Sequence, residues 1–298
     1  MSEQTPLVSI IINCYNGEKY LAEAINSIYA QTYKNWEIIF WDNASIDNSA
    51  NIAKSYDKKL KYYRSKSTTT LSQARFEAVK KTNGKYLSFL DCDDLWQNDK
   101  LDKQIEIFLQ DTSLALVYGL TQIIYDDDKK NLIRSDMNVI PEKNKLFEGM
   151  IFDQLLIEDF IPFPSVLIDK SKLLECGDFP INYNHSIDYW IFLNLAHKYK
   201  VKVLKQVCCK YRIHQQNLSN TQLVLCNSEN IRLIKSFLPD RRAKSSLKFH
   251  YVSLAAAYFK EKKFLKAFLT MYEYGEWSLL FSRIFRKFKK NLIFYINY

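Results

Sequence analysis

The stretch Tyr86-Leu-Ser-Phe-Leu-Asp-Cys-Asp-Asp-Leu-Trp96 decides how the rest of the sequence is interpreted. It begins as an apolar run of strand length and ends in three carboxylates, Asp91, Asp93 and Asp94. Asp91 and Asp93 flank one residue, so both side chains leave an extended chain on the same face. Mg²⁺ and Mn²⁺ prefer such oxygen ligands and often share them with phosphates. The stretch predicts a metal site at a sheet edge; the alternative is a solvated acidic turn that caps a following helix.

The first half of the chain alternates strands and helices with short connections. The predicted strands are Leu7–Asn13, Trp36–Trp41, Leu60–Arg64 and Tyr86–Leu90, and the predicted helices between them are 18–30, 49–56 and 71–82. Asn83-Gly84 is expected to close the third helix as a left-handed cap. This pattern is typical of an α/β protein with a doubly wound, mostly parallel sheet.

Ligands of such sheets bind beyond the carboxyl ends of the strands. Three of the predicted strands end there in polar residues, which is a second reason to expect a site. The residues concerned are Asn13 and Tyr15, Asp42 and Asn43, and the three aspartates after residue 90. Asp42 is also a candidate helix cap.

The second half of the chain mixes short strands with helices and then becomes helical. Strands are expected at 114–118, 121–125, 201–204 and 207–211, and helices at 147–156, 188–199, 223–237, 240–260 and 262–274. The hexapeptide Asp126–Asn131 is interpreted as a hairpin tip rather than a second metal site. We place a domain boundary near residue 218, with a nucleotide-binding and catalytic domain over 1–218 and a helical extension over 219–298.

Composition narrows the class of protein. The 298 residues are 47% apolar with only 6 Gly and 6 Pro, which allows a large core without long linkers. The net charge is +9, but the basic residues are scattered without a recognition module, so we expect no nucleic-acid partner. The six cysteines include no Cys-x-x-Cys pair, which favours reduced thiols in the cytosol. No signal peptide and no apolar run of about 20 residues is visible, so we expect a cytoplasmic protein.

Several motifs, in this order and at these spacings, resemble the family 2 glycosyltransferases of the GT-A fold. The resemblance covers about residues 6–220, and neither a GxGxxG nor a Walker loop competes with it. The segments that carry it are Val8–Asn16, Ser27–Tyr33, Glu37–Asp47, Ala74–Arg75, Gly84–Trp96 and Tyr211–His214.

The resemblance implies transfer of a sugar from a nucleotide-sugar to an acceptor hydroxyl, with inversion at the anomeric carbon. A Mn²⁺ or Mg²⁺ ion on Asp93 and Asp94 would neutralise the leaving diphosphate, and Asp91 would support it. His214 resembles a position near the diphosphate that could add a metal ligand or a phosphate contact; its alternative is a structural histidine.

The same resemblance implies the residues that bind the nucleotide. Tyr15 would stack on the nucleobase, and Asn13 and Asn43 would read its edge. Many family members carry Asp where this chain has Asn43, so uracil is permitted rather than enforced; a UDP-sugar is the first choice, with GDP- and CDP-sugars open. Arg75 would contact phosphate or the base end, and its alternative is a surface arginine.

The general base is the position at which this chain departs from the family. The family's Glu-Asp pair would fall near His185 and Ser186, and neither residue is acidic. Inversion needs a carboxylate within reach of the attacking hydroxyl. We therefore predict Asp188 as the base, with helix capping as its alternative role and His185 as a fallback.

The C-terminal segment 277–295 mixes large apolar side chains with five basic ones, which predicts an interfacial helix or a helix packed on its own domain. A membrane-binding tail would suit a lipid-linked acceptor and a peripheral position at the inner face of the membrane. We expect a metal-dependent transferase acting on a glycan or lipid-linked acceptor in surface polysaccharide or glycolipid synthesis. The alternative is a catalytically inactive nucleotide-sugar-binding or scaffold subunit, for which the missing acidic pair is the main support.

Overall fold

The structure is a computed structural model that describes residues 5–126, 139–142, 145–214, 222–274 and 277. The chain divides into two compact units, one formed by Met1–Leu155 and Phe160–Asn217 and the other by Leu156–Asp159 and Leu218–Tyr298. The assignment of catalytic and extension roles to 1–218 and 219–298 stays a prediction. None of the helices in the described ranges combines the length and apolarity needed to cross a bilayer.

The first unit begins with alternating strands and helices, as predicted. The elements are β1 (Val8–Cys14), α1 (Leu21–Tyr29), β2 (Trp36–Asp42), α2 (Ser49–Lys54), β3 (Leu60–Arg64), α3 (Leu71–Val79) and β4 (Tyr86–Phe89). β1 lies between β2 and β4, and β2 pairs with β3, all in parallel. Every residue of β2 is buried, as are six of the seven in β1, because helices cover both faces of such a sheet.

The elements that follow along the chain add further strands to this sheet, some parallel and some antiparallel to their neighbours. They are β5 (Leu95–Trp96), α4 (Lys100–Gln110), β6 (Leu114–Tyr125), β7 (Val139–Ile140), α5 (Phe152–Ile157), β8 (Leu167–Asp169), α6 (Lys170–Leu174), α7 (Ile187–Lys198) and β9 (Lys200–Ile213), with a 3₁₀ turn at Phe163–Ser165. The strand order is β3-β2-β1-β4-β8-β6-β9-β5, and β7 pairs with β6. β8, β7 and β5 join antiparallel. The α/β class is confirmed.

Two pairs of predicted strands are single long strands. Residues 114–118 and 121–125 form β6, and residues 201–204 and 207–211 form β9. The two strands pair in parallel, and two of the three irregularities in their register, those between Gly119 and Thr121, fall where the sequence pattern suggested a break. Of the predicted hairpin tip, residues 127–131 lie outside the described residues.

The predicted cap at Asn83-Gly84 is wrong. α3 ends at Val79 with Lys80 in right-handed geometry, and Gly84 has no positive φ. A Cβ at Gly84 would lie 2.5 Å from the backbone nitrogen of Ser9 and 2.7 Å from the carbonyl oxygen of Leu7. The glycine therefore allows the chain to approach β1 closely as it enters β4.

Within its described residues the second unit contains three helices, α8 (Leu223–Lys235), α9 (Arg241–Lys260) and α10 (Phe264–Tyr274), which lie within two residues of the predicted bounds. Ile231 of α8 packs with Tyr251 and Leu254 of α9. Met271 of α10 packs with Val252 and Ala255 of α9. Of the predicted tail helix 277–295, only Trp277 lies within the described residues.

Candidate active site

The acidic loop 90–94 joins β4 to β5, and β5 pairs with β9. Asp94 is fully buried, and its Oδ1 accepts a hydrogen bond of 2.9 Å from the backbone N–H of Arg212 in β9. Its Oδ2 is buried and has no partner among the described residues. Burial raises the pKa of Asp94 well above its ordinary value, and the neighbouring carboxylates add to this shift. Asp94 therefore connects the loop to β9 and keeps one oxygen available for a cation or a proton.

The alternative role of Asp94 as a helix cap is wrong. The residues that follow it form β5, and α4 begins only at Lys100, after Asp99. The carboxylate cluster thus lies at the end of a central strand and not at the start of a helix.

Asp93 and His214 form a partly exposed pair in this cluster. The Oδ2 of Asp93 lies 2.8 Å from the Nε2 of His214, and their side chains are 22% and 13% exposed. The guanidinium of Arg212 donates through Nε to the carbonyl oxygen of Asp93 at 3.0 Å. Asp93 and His214 are 121 positions apart in the chain, and the fold places the carboxylate oxygen of one beside the imidazole nitrogen of the other.

This pair fits a divalent ion that is shared with a ligand. In the described part of the chain, no group of three or more His, Cys, Asp or Glu side chains is arranged to hold a metal ion by itself. Mg²⁺ in nucleotide enzymes is commonly held by one or two carboxylates together with substrate phosphates. Asp93 Oδ2 and His214 Nε2 fit that donor set, since oxygen and imidazole nitrogen are ligands that Mn²⁺ accepts, whereas the unpaired Oδ2 of Asp94 is buried.

Arg75 of α3 is a buried cation beside the same loop. Its side chain is only 3% exposed, its Nη2 donates to Asp91 Oδ1 at 3.3 Å, and its guanidinium lies 3.9 Å from the ring centroid of Phe163. Its Nε and Nη1 are buried and have no hydrogen-bond partner among the described residues. The alternative interpretation of Arg75 as a surface arginine is wrong. Buried N–H groups normally have partners, so the two free groups indicate an anionic or carbonyl ligand.

Asp188 lies close enough to Arg75 to feel its charge. Burial raises the pKa of the Asp188 carboxyl, and the Arg75 guanidinium opposes that shift. Burial also raises the pKa of Asp91, with Arg75 again in opposition and Asp188 among the carboxylates that add to the rise. Asp188 is not the helix cap, because that position belongs to Ser186; its Oδ1 accepts from the N–H of Tyr189 at 2.8 Å. Asp91, Arg75 and Asp188 therefore form one electrostatic group.

The loops after β1 and β2 are joined to each other by side-chain hydrogen bonds. Asn16 accepts from the N–H of Ile46 and donates its own N–H to Ser45 Oγ, at 2.9 and 3.0 Å. Asn16 and Ala44 both have positive φ, 53° and 65°, which is uncommon for residues other than glycine and is often found at functional sites. This pairing holds the turn that presents Tyr15, whose ring is 52% exposed.

Asn13 and Asn43 differ in what their side chains contact. Asn13 Nδ2 is buried without a partner among the described residues. The amide of Asn43 is occupied, because it donates to the carbonyl oxygen of Thr69 at 3.0 Å and accepts from the Thr69 N–H at 3.1 Å. Of the two asparagines, Asn13 is the one with a free donor for a ligand.

Asp42 is fully buried, and both of its oxygens contact protein groups. Oδ2 accepts from Tyr62 at 2.6 Å and from Arg64 at 2.7 Å, while Oδ1 accepts from the N–H of Ser45 at 2.7 Å. Asp42 does not cap α2, which begins at Ser49 after Asn48. Its contacts organise the loop after β2, and a direct role in nucleotide binding stays a prediction.

Sequence reasoning missed Arg212 and Phe163. Arg212 contacts Asp93 and Asp94 through the hydrogen bonds above and donates to Glu23 at 2.9 Å. The signal for Arg212 was present, since it lies beside His214 in a segment already assigned to the site. Phe163 lies in a proline-punctuated stretch, and no pattern in the sequence connects it to Arg75.

Comparisons with known proteins show which family of enzymes this chain belongs to. The model of the family described as "Glycosyl transferase family 2" matches residues 9–172, a range that contains β1 to β8 and the acidic loop. The chain belongs to glycosyl transferase family 2. It is therefore a glycosyltransferase, and the family resemblance found in the sequence is confirmed.

One curated relative of this glycosyltransferase is the Escherichia coli UDP-Glc:alpha-D-GlcNAc-diphosphoundecaprenol beta-1,3-glucosyltransferase WfgD. It is 30% identical over 219 residues, which cover 72% of this chain and 81% of the relative. The name of WfgD gives UDP-Glc as its donor and diphosphoundecaprenol-linked GlcNAc as its acceptor.

Two solved structures share its fold at low sequence identity. S. aureus TarS 1–349 in complex with UDP-GlcNAc is 16% identical with a TM-score of 0.67, covering 87% of this chain and 79% of TarS. The mannosyltransferase PcManGT from Pyrobaculum calidifontis, in complex with GDP-Man and Mn²⁺, is 16% identical with a TM-score of 0.61, covering 87% and 76%. The predicted GT-A fold is confirmed.

Proposed function

We propose that this glycosyltransferase moves a sugar from a nucleotide-sugar, with a UDP-sugar as first choice, to a hydroxyl of a lipid-linked or glycan acceptor, with inversion. The observation that carries the proposal is the buried Arg75, whose Nε and Nη1 have no partner among the described residues and whose charge acts on both Asp91 and Asp188. The relatives support the choice of substrates, since WfgD is named for UDP-Glc and a diphosphoundecaprenol acceptor.

The donor would lie across the carboxyl ends of β1, β2 and β4. Tyr15 offers an exposed ring for stacking on the nucleobase. Asn13 Nδ2 can donate a hydrogen bond to a carbonyl oxygen of the base. Uracil and guanine both carry such an oxygen. Asn43, whose amide is occupied by Thr69, would shape the pocket rather than read the base.

The diphosphate would lie beside Asp93, His214 and Arg75. A bound Mn²⁺ or Mg²⁺ would supply positive charge against the leaving diphosphate. Asp93 and His214 would hold that ion, with Asp94 as a buried support. Arg75 directs buried N–H groups to the same region, where a fixed cation in a water-poor site stabilises developing negative charge.

In the transfer itself, the acceptor oxygen forms a bond to the anomeric carbon while the bond to the diphosphate oxygen breaks. The proton of the attacking hydroxyl passes to Asp188. A carboxylate whose pKa is raised by burial is a better base than an exposed one, because its pKa lies closer to the working pH. Arg75 would hold Asp188 in its ionised form before the proton arrives.

Asp188→Asn tests this role, because it removes the base and keeps the size of the side chain. We expect the transfer rate to fall by about 10³-fold, within the range of general-base catalysis, while donor affinity stays within about threefold. Rates would be measured with a panel of UDP-, GDP- and CDP-sugars and a diphosphate-lipid acceptor, and donor affinity by calorimetry.

The exposed Asp178→Asn is the matched control, since it makes the same chemical change before α7 and should keep the full rate. An unchanged rate in Asp188→Asn would remove Asp188 as the base. A wild-type protein that binds donors but transfers and hydrolyses none of them would instead favour the inactive binding subunit.

A peripheral position at the inner membrane face belongs to the same proposal. It is supported by the lipid-linked acceptor in the name of WfgD and by the basic, apolar composition of residues 277–295.

A further inference from the structure

The helix α10 of the second unit carries an apolar face that the described residues leave exposed. The large side chains on this face are Phe264, Leu265, Phe268, Leu269 and Tyr272, and each is between 52% and 79% exposed. Their spacing of three and four residues places them along one side of the helix. Five such side chains in a row exceed the scattered exposed apolar residues of ordinary surfaces.

The same helix already has a separate face for packing. Ala267 and Met271 are buried, and Met271 contacts Val252 and Ala255 of α9. The exposed face is therefore additional to the one that joins α10 to its unit. At both ends it continues in aromatic contacts, since Phe259 lies 6.0 Å from Phe264 and Trp277 lies 5.7 Å from Phe268 between ring centroids.

The charge beside this face is mainly positive. Lys260 at the end of α9, Lys262 and Lys263 in the connection and Lys266 in α10 are all exposed. In the sequence that follows α10, residues 275–298 contain one acidic residue, Glu276, and five basic ones, Arg283, Arg286, Lys287, Lys289 and Lys290. In the described part of this region the acidic residues are Glu261 and Glu273, and Glu261 is paired with Lys263.

We propose that the exposed face of α10, defined by Phe264, Leu265, Phe268, Leu269 and Tyr272, docks on an anionic lipid bilayer. A convex row of Phe, Leu and Tyr side chains can enter the boundary between headgroups and acyl chains, and lysines beside it meet anionic headgroups. A protein partner would need a complementary groove, and the cluster of lysines favours an anionic surface instead. Membrane docking by this face does not depend on the proposed function. Only the purpose of docking, which is to bring the active site to a lipid-linked acceptor, rests on that function.

The test is flotation of the full-length protein with vesicles, which requires no donor or acceptor and so stands apart from the test of catalysis. Wild-type protein should float with vesicles of 30% phosphatidylglycerol in phosphatidylcholine, and less in high salt or with phosphatidylcholine alone. Leu265→Glu/Leu269→Glu places two charges on the face, and we expect its partitioning to fall by roughly tenfold or more.

Leu109→Glu/Leu174→Glu is the matched control, because these two leucines of the first unit are also more than half exposed. The control should float like wild type, and circular dichroism should show that both double variants are folded. Equal flotation of Leu265→Glu/Leu269→Glu and wild type would overturn the proposal, as would a wild type that does not float. A wild-type dimer that becomes a monomer in Leu265→Glu/Leu269→Glu, without flotation, would assign the face to a second copy of the chain.

Discussion

At the scale of single residues, the structure separates polar side chains that the sequence presents as equals. Asp42 and Asp94 are both buried acids after strands, yet Asp42 uses both oxygens on protein groups and Asp94 keeps one unpaired. Asn13 and Asn43 differ in the same way. Since an unpaired buried polar atom costs free energy, the unpaired atoms of Asp94 and Asn13 support a ligand site at the carboxyl ends of β4 and β1.

Lys100 is a buried charge outside the active site. Its Nζ donates to Ser88 Oγ and Gln104 Oε1, both at 2.9 Å, and to the carbonyl oxygen of Val166 at 3.2 Å. Burial lowers the pKa of Lys100 to about 8. Through these bonds Lys100 holds the segment that follows Phe163, and Phe163 in turn packs against Arg75.

The lowered pKa of Lys100 predicts a pH-dependent stability. The unfolded chain keeps this amine protonated up to about pH 10.4, and the folded chain releases the proton from about pH 8. Between these values the unfolded state binds more protons, so the stability contributed by this site rises with pH. We expect the free energy of unfolding of wild type, relative to Lys100→Met, to rise by about 2 kcal/mol between pH 7 and pH 10.

Urea unfolding at both pH values measures this difference. Lys103→Met in the same helix is the control, because Lys103 is paired with Asp99 at the surface and should leave the rise intact. A difference between wild type and Lys100→Met that does not change with pH would contradict the assignment.

At the scale of elements, β6 and β9 form the longest strand pair and carry the site residues at its far end. The register shifts between Gly119 and Leu120, where β9 advances from Leu204 to Val207. A Cβ on Gly119 would lie 2.4 Å from the Sγ of Cys208, and its next contact is an ordinary 3.4 Å. The close approach of this one sulfur therefore explains the glycine.

We predict that Gly119→Ala destabilises the protein by about 1–3 kcal/mol, the usual cost of overpacking a core. Cys208→Ala removes the colliding sulfur, so the double variant should be more stable than the sum of the two single effects. Denaturant unfolding of all four proteins measures this coupling. Gly149→Ala is the control, because its cost comes from a φ of +88° with no atom within 4 Å, and Cys208→Ala should not relieve it. Additive effects in the Gly119 cycle would contradict the packing argument.

At the scale of the whole molecule, the proposed donor site couples ligand binding to stability. Asp91, Asp93 and Asp94 come from the loop after β4, Arg75 from α3, Asp188 from α7 and His214 from the end of β9. A ligand that binds all of these elements can do so only in the folded chain, so it shifts the unfolding equilibrium by mass action.

We therefore expect UDP or GDP with Mn²⁺, at about 100 times the dissociation constant, to stabilise the protein by about 2.7 kcal/mol. Thermal unfolding should show this as a rise of several degrees in the transition temperature, with most of the rise lost in EDTA. Asp93→Asn should lose the metal-dependent part, whereas the exposed Asp126→Asn should keep it. Equal metal-dependent stabilisation of Asp93→Asn and wild type would contradict the proposed ligand.

The sequence by itself determined the elements whose signals are local. Alternating buried strands and amphipathic helices and strand-end polar residues all arise within a few neighbours, and the carboxylates after β4 follow from the order of those elements. The family followed in the same way, because its motifs are short and lie in local segments.

Only the tertiary structure decided which polar groups meet and which are buried. Arg212 reaches Asp94 across 118 positions, and His214 reaches Asp93 across 121. The sequence left open whether Arg75 contacts a ligand or lies at the surface, and the structure buries it against Phe163. The break expected within β6 was absent because pairing with β9 carries the strand through Gly119 and Leu120. Burial and long-range pairing depend on the packing of distant elements, and no local pattern encodes them.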